Sequence, residues 1–245
     1  MHILELDQIS LTYFTKSGET KALDQLSFYI NKGDFVSIVG PSGCGKTTIL
    51  SIIAGLIKPT SGNIIKQSTS QHIGYMFQKD LLFEWRTIED NILLALEINK
   101  IKTKENIDYA ISLLEKYNLL EFKDKYPNEL SGGMRQRVAL IRTLVTKPEI
   151  LLLDEAFSAL DYQTRLTICD DVYKIIKDQN LTAILVTHDI SEAISMSDTI
   201  IVLTNRPAKV KKTYTLNHAQ NSTPFERRQS KLSTEMFNTI WSDIQ

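Results

Sequence analysis

Cysteine is scarce in this 245-residue chain: only Cys44 and Cys169 occur. Nothing suggests a disulfide framework, and a cytosolic setting fits. Excess charge of one sign is missing too. The formal net charge is −1, so no strong field points to nucleic acid or to an acidic membrane, and no nucleic-acid partner is expected. Long apolar runs are absent. The richest, TILSIIAGLI (48–57), contains Ser51 and Gly55 and falls far short of the roughly 20 residues that span a bilayer. Any work at a membrane then needs a second chain to provide the membrane part. The opening MHILELDQIS carries acids early and is not expected to be a signal peptide. There is no internal repeat and no low-complexity tract.

What is present is an ordinary globular composition, 42% hydrophobic and 23% charged, long enough for one large or two small domains. The first 40 residues read as strands, with DFVSIV a continuous apolar run. KTTILSIIAGLI reads as a helix stopped by the turn at 59–62. GNIIKQ and HIGYMF read as short strands around a polar tip, STSQ (68–71). From about Thr87 the pattern turns helical. Ile107, Ile111 and Leu114 fall on one face of KENIDYAISLLEKYN. MRQRVALIRTLVTK is a further helix. EILLLD and TAILVTH are buried strands by composition, and TRLTICDDVYKIIKDQ is a helix with Leu166, Cys169, Val172 and Ile176 on one face. Apolar strands alternating with helices predict an α/β fold, a mostly parallel sheet flanked by helices, preceded by an N-terminal antiparallel β-subdomain. The helical block at about 87–147 interrupts that sheet as an inserted α-helical subdomain. Residues 217–224 read as a linker to a short amphipathic tail helix.

The chemistry begins at GPSGCGKTT: Gly40, Pro41, Ser42, Gly43, Cys44, Gly45, Lys46, Thr47 and Thr48. The spacing G-x-x-x-x-G-K-[ST], between an apolar strand and a helix, is that of a phosphate loop. Glycines let backbone N–H groups turn inward around phosphate oxygens, and the helix start adds partial positive charge. Lys46 would reach the β- and γ-phosphates, and the Thr47 hydroxyl would ligate Mg²⁺. Cys44 is read as incidental to this loop. ILLLDEAFSALD places Asp154 and Glu155 at the C-terminal end of a buried strand, where open parallel sheets bind ligands. Asp154 suits the metal shell; Glu155 would poise a water for in-line attack as general base. His188 ends the apolar strand TAILVTH, placed to contact the γ-phosphate. Gln78, just after HIGYMF, is a candidate for Mg²⁺ or the attacking water.

LSGGMRQR (130–137) poses a separate problem: a glycine pair opens a helix far from the phosphate loop. The motifs run in one order, Gly40–Thr48, Gln78, Leu130–Arg137, Ile150–Glu155, Ser158–Asp161 and His188. In that order they resemble the ATP-binding subunit of ABC transporters over residues 1–216, with 217–245 a linker and amphipathic helix. The resemblance implies a P-loop NTPase cassette that hydrolyses ATP with Mg²⁺ at the cytoplasmic face of the cell membrane. It implies two cassettes paired head to tail, each ATP lying between the phosphate loop of one and Ser131, Gly132 and Gly133 of the other. Asp161 would then cross the dimer seam, and Tyr13 would stack on adenine.

The stretch QKDLLFEWRTIEDNI (78–92) resembles that of nitrate, sulfonate and taurine importer ATPases, including Trp85 at the same spacing from Gln78. NRPAKV (205–210) is similar to their PRPGRI. Glu84 stands where they usually have proline, and Ala208 where they usually have glycine. Thiamine-precursor importers share the cassette type. Implied partners are membrane permease subunits and an extracytoplasmic solute-binding protein, with a groove near Phe83, Trp85 and Leu93 receiving a permease helix. A soluble ABC ATPase and an exporter subunit are the alternatives at this point.

Overall fold

The computed structural model describes residues 2–16, 18–67, 72–219 and 222–245. The expected tip at 68–71 and two residues of the expected linker, 220 and 221, lie outside the described residues. The chain divides into two compact units, residues 1–71 with 169–245, and residues 72–168.

The first unit starts with two long strands, β1 (His2–Thr15) and β2 (Gly18–Asn31). They are followed by β3 (Phe35–Val39), the helix α1 (Lys46–Ile53) and β4 (Ser61–Lys66). β1 pairs antiparallel with β2 and with β4, which gives the expected N-terminal antiparallel sheet. β3 is buried along its whole length, as its unbroken apolar run requires. α1 is shorter than its apolar pattern suggests. Gly55 takes φ +77° and donates to the Ile52 carbonyl, while the Leu56 amide bonds the Ser51 carbonyl. That left-handed glycine cap, rather than the later proline turn, ends the helix.

The second unit holds β5 (Ile73–Met76), α2 (Ile88–Ile98), α3 (Lys104–Lys116), α4 (Gly132–Leu144) and β6 (Ile150–Asp154). β5 and β6 pair in parallel. α2 and α3 are capped by Thr87 and Thr103, whose side chains accept the amides of Asp90 and Asn106. The buried face of α3 is Ala110, Leu113 and Leu114. Ile107 and Ile111 flank it half-buried, so the apolar stripe is rotated from the one read from the sequence. α5 (Tyr162–Asp178) begins in this unit and continues into the first. Cys169, Val172 and Ile176 are buried on it, as expected, with Ile168 and Ile175 beside them and Leu166 half-buried.

The first unit is completed by β7 (Thr182–Val186), α6 (Ile190–Met196), β8 (Thr199–Leu203), β9 (Val210–Thr215), α7 (Pro224–Arg228) and α8 (Lys231–Ile244). β3 lies between β7 and β8, parallel to both, and β9 adds antiparallel to β8. The tail packs on its own unit. Ile240 is fully buried against Val39, Ile194, Val202 and Leu216, with Met236 against the same cluster. Two of the tail's basic residues face inward. The Arg227 guanidinium lies 4.7 Å over the Tyr173 ring and bonds its hydroxyl at 2.6 Å, and Arg228 pairs with Asp170 at 2.8 Å. Among the described residues no helix is long and apolar enough to cross a membrane.

Ile240→Ala empties a closed site and is expected to cost about 2–5 kcal/mol. Trp241→Ala, at a side chain 51% exposed, should cost less than about 1 kcal/mol. Denaturant unfolding of the full chain reads both; equal losses would mean that α8 is not anchored through Ile240.

Candidate functional site

In the first unit the site is a helix start left open. The residue before α1 is Gly45, at φ +121°, and no side chain caps the helix. The amides of Lys46, Thr47 and Thr48 therefore have no acceptor within the helix. Lys46 is buried, 6% exposed, and its ammonium donates to the carbonyls of Gly40 and Pro41 at 2.9 and 3.0 Å. Among the described residues its hydrogen-bond partners are these two neutral oxygens. A buried cation so placed, beside open helix-start amides, fits an anion. Thr47 is exposed at the same turn. Tyr13, 37% exposed on β1, has its hydroxyl 3.2 Å from Thr48 Oγ1, which puts an aromatic ring beside the loop, while its neighbour Phe14 is 69% exposed. Cys44 is 1% exposed, and burial pushes its thiol above the ordinary value despite the nearby Lys46 charge. It is a packed neutral thiol, in line with an incidental place in the loop. His188 is exposed, two residues beyond β7, and Asp189 after it caps α6 by accepting the Glu192 amide at 3.1 Å.

In the second unit Asp154 ends β6, 6% exposed, and accepts a hydrogen bond from the Tyr75 hydroxyl at 2.9 Å. Glu155 follows at φ +46°. A left-handed conformation is rare for glutamate and is typical of strained functional turns. Gln78 Nε2 donates to Glu155 Oε2 at 3.3 Å and to Ser158 Oγ at 3.2 Å, while the Ser158 hydroxyl donates back to the Glu155 carbonyl at 2.9 Å. Gln78 and Glu155, 77 residues apart, are thus brought together. Tyr75 and Ser158 orient this cluster. Tyr75 carried no mark of that role in the sequence, and Ser158 stood in the Ser158–Asp161 motif without a role of its own. Asp161 is exposed and accepts the Thr164 amide at 3.1 Å near the start of α5. Thr164 holds the Asp161 carboxyl below its usual range.

Ser131 caps α4 with a long bond, 3.4 Å, from the Met134 amide. The amides of Gly132 and Gly133 are left without an acceptor in the helix. The two glycines are there for different reasons. A Cβ on Gly133 would sit 2.8 Å from Thr164 Cγ2, so α4 needs a glycine there to pack against α5. A Cβ on Gly132 would meet Leu160 Cδ2 at 3.7 Å, an ordinary contact. Packing does not explain that glycine.

The groove of this unit differs from the expected one. Leu93 is core, 5% exposed. A cavity of about 300 Å³ is lined instead by Tyr75, Phe77, Leu81, Leu94, Ile98 and Arg142. Phe83 and Trp85 pack ring to ring at 4.8 Å, with Trp85 74% exposed.

An open-amide loop with a buried lysine, and a strand-end Asp-Glu pair, define the class: a P-loop nucleotide hydrolase. Comparison with known proteins narrows this. Residues 23–158 match the family model described as ABC transporter. The chain is 46% identical, over 100% of its length and 96% of the relative's, to the uncharacterized ABC transporter ATP-binding protein YtlC of Bacillus subtilis. It is 37% identical to the aliphatic sulfonates import ATP-binding protein SsuB of Bacillus cereus, covering 94% of this chain and 90% of that one. Among solved structures it is similar, with a TM-score of 0.72 and 31% identity, to the ATP-binding cassette MJ0796 in a dimeric post-hydrolysis state bound to ADP and Pi. That match covers 88% of this chain and all of the other. The chain belongs to the ABC transporter family. It has the cassette fold and is an ATPase.

Gly133→Ala should lower stability by about 1–3 kcal/mol through overpacking, and Thr164→Ser in the same chain should restore most of it. Gly132→Ala should unfold at or above the wild-type temperature. Thermal unfolding of the three variants decides; equal losses for both glycines would remove the distinction.

Proposed function

We propose that this chain is the ATP-hydrolysing subunit of an importer for a small solute of the nitrate, sulfonate or taurine type, with thiamine precursors as the other candidate cargo. It acts as a pair of cassettes beneath a separate membrane permease, at the cytoplasmic face, supplied by an extracytoplasmic solute-binding protein. The observation that carries the pairing is Gly132. It is exposed, not required by packing, and at the start of a 13-residue helix whose first amides are open. Close approach of an anion is the physical reason left for glycine there. A second copy would deliver that helix start to a γ-phosphate bound at the Lys46 loop, so that ATP joins the two chains.

Each residue then has a task. Lys46 and the amides of residues 45–48 hold the phosphates, and Tyr13 stacks on the adenine. Ser131, Gly132 and Gly133 close on the γ-phosphate from the partner cassette, and Asp161 lies at the seam between them. The donors assigned to Mg²⁺ are the Thr47 hydroxyl, the Gln78 amide oxygen and the Asp154 carboxylate, hard oxygens of the kind this cation takes, with phosphate oxygens and water as the further ligands. Such a hard cation keeps several non-protein ligands, and among the described residues no cluster of three or more His, Cys, Asp or Glu side chains could hold a metal unaided. When bound, the ion neutralises charge on the transferring phosphoryl group. Glu155, in its left-handed turn just after β6, orients and deprotonates the attacking water. His188 and Lys46 stabilise charge on the γ-phosphate. Gln78, already bonded to Glu155, reports the state of the site to residues 78–85 and to the apolar groove, which receives a permease helix.

Glu155→Gln is expected to bind ATP and pair but to turn over at least about 100-fold more slowly, the scale of a lost general base; near-normal phosphate release would remove Glu155 from that role. Ser131→Arg should bind ATP as a single chain and fail to pair. Full activity of a single chain carrying Ser131→Arg would end the two-cassette account.

A further inference from the structure

The helix that begins at Ser131 also grips the segment that begins at Gln78. Arg135, one turn into α4, makes a fork on Asp80, from Nε to Oδ2 at 2.9 Å and from NH2 to Oδ1 at 3.2 Å. The same NH2 donates to Glu84 Oε1 at 2.7 Å, and NH1 reaches the Pro127 carbonyl at 3.3 Å. Two turns further on, Arg142 donates to the carbonyls of Asp80 and Leu81 at 2.6 and 2.8 Å, and Gln136 donates to the Gln78 carbonyl at 3.4 Å. Leu81 is held at φ +48°, a conformation that bulky residues avoid unless their surroundings impose it. One face of α4 therefore fixes residues 78–84, all within one compact unit.

The electrostatics of the fork are lopsided. One guanidinium serves two carboxylates. Burial pushes the Asp80 carboxyl up, yet the Arg135 fork and the Leu82 amide hold it below the usual carboxylate range. Asp80 alone satisfies the bidentate geometry that a guanidinium prefers. Glu84 is the added member. Its side chain is 52% exposed. An exposed carboxylate of this kind adds little to folding stability. Its Oε1 takes the same NH2 that reaches Asp80 Oδ1, so Arg135 is tied to both Asp80 and Glu84.

We propose, resting on the two-cassette site described above, that Glu84 is a positioning residue that acts through Arg135. With Asp80 it joins the helix start Ser131–Gly133 to the Gln78 segment as one mechanical piece. Small misplacements of a binding group are costly in a closed site, so loss of Glu84 is felt in closure and not in folding.

The test uses the full chain carrying Glu155→Gln, in which ATP is expected to hold the pair. ATP-dependent pairing is followed by light scattering, single-chain nucleotide binding by a fluorescent ATP analogue, and stability by thermal unfolding. Adding Glu84→Gln should raise the ATP concentration for half-maximal pairing several-fold, with single-chain binding and unfolding temperature unchanged. Glu84→Asp should recover part of the loss. An unchanged ATP dependence overturns the role of Glu84, as does a parallel fall in binding and unfolding temperature, which would mark a structural residue. A Glu155→Gln parent that never pairs with ATP overturns the two-cassette reading and this role together; a parent that pairs, with Glu84→Gln indistinguishable from it, removes only the latter.

Discussion

A helix start with no strong side-chain cap can bind an anion, and this chain has two such starts on separate compact units. At α1 a glycine replaces the usual capping side chain, and the hydrogen-bond partners of the buried Lys46 among the described residues are the carbonyls of Gly40 and Pro41. At α4 a serine caps weakly and two glycines follow. In the two-cassette proposal each start is half of what a triphosphate needs: the first supplies cationic grip, the second dipole and close approach. Within the first unit the fully buried β3 runs into the phosphate loop, and within the second the fully buried β6 ends at the Asp154-Glu155 pair.

Both starts are held by their surroundings, in different ways. Gly133 is pressed against Thr164, Arg135 is forked onto Asp80 and Glu84, and Arg142 grips the backbone of Asp80 and Leu81. In the first unit the loop's lysine bonds the loop itself, a Cβ on Gly40 would meet Leu203 Cβ at 3.0 Å and one on Gly45 would meet Leu23 Cδ2 at 3.1 Å, and Tyr13 reaches Thr48. The α4 start is placed by the 78–84 segment and α5; the loop is placed by its own carbonyls and the strands beside it.

Much of this was legible in the sequence because it is local. The phosphate loop, the buried strands β3, β6 and β7, and the Asp-Glu pair are each written in fewer than ten consecutive residues. Long-range placement was not legible. Gly133 reads as a ligand residue by its motif, but its partner Thr164 lies in another helix and only coordinates reveal the clash. The stripe of α3 was rotated because Ile107 and Ile111 and the true face, Ala110, Leu113 and Leu114, fit a helical period almost equally. Leu93 read as groove but is core, since apolar character does not say which side of a helix meets its own unit. The end of α1 hung on a left-handed glycine, which outweighed the more visible proline turn.

The central claim is that each ATP is closed by two chains, and complementation tests it most directly. Lys46→Ala spoils the phosphate loop and spares the α4 start; Ser131→Arg does the reverse. Each variant alone should be inactive. Mixed, they form pairs in which one site has an intact loop from one chain and an intact helix start from the other, and ATP hydrolysis should return. If the mixture stays as inactive as its components while unmodified chains pair and turn over, the two halves of the site belong to one chain and the account is wrong.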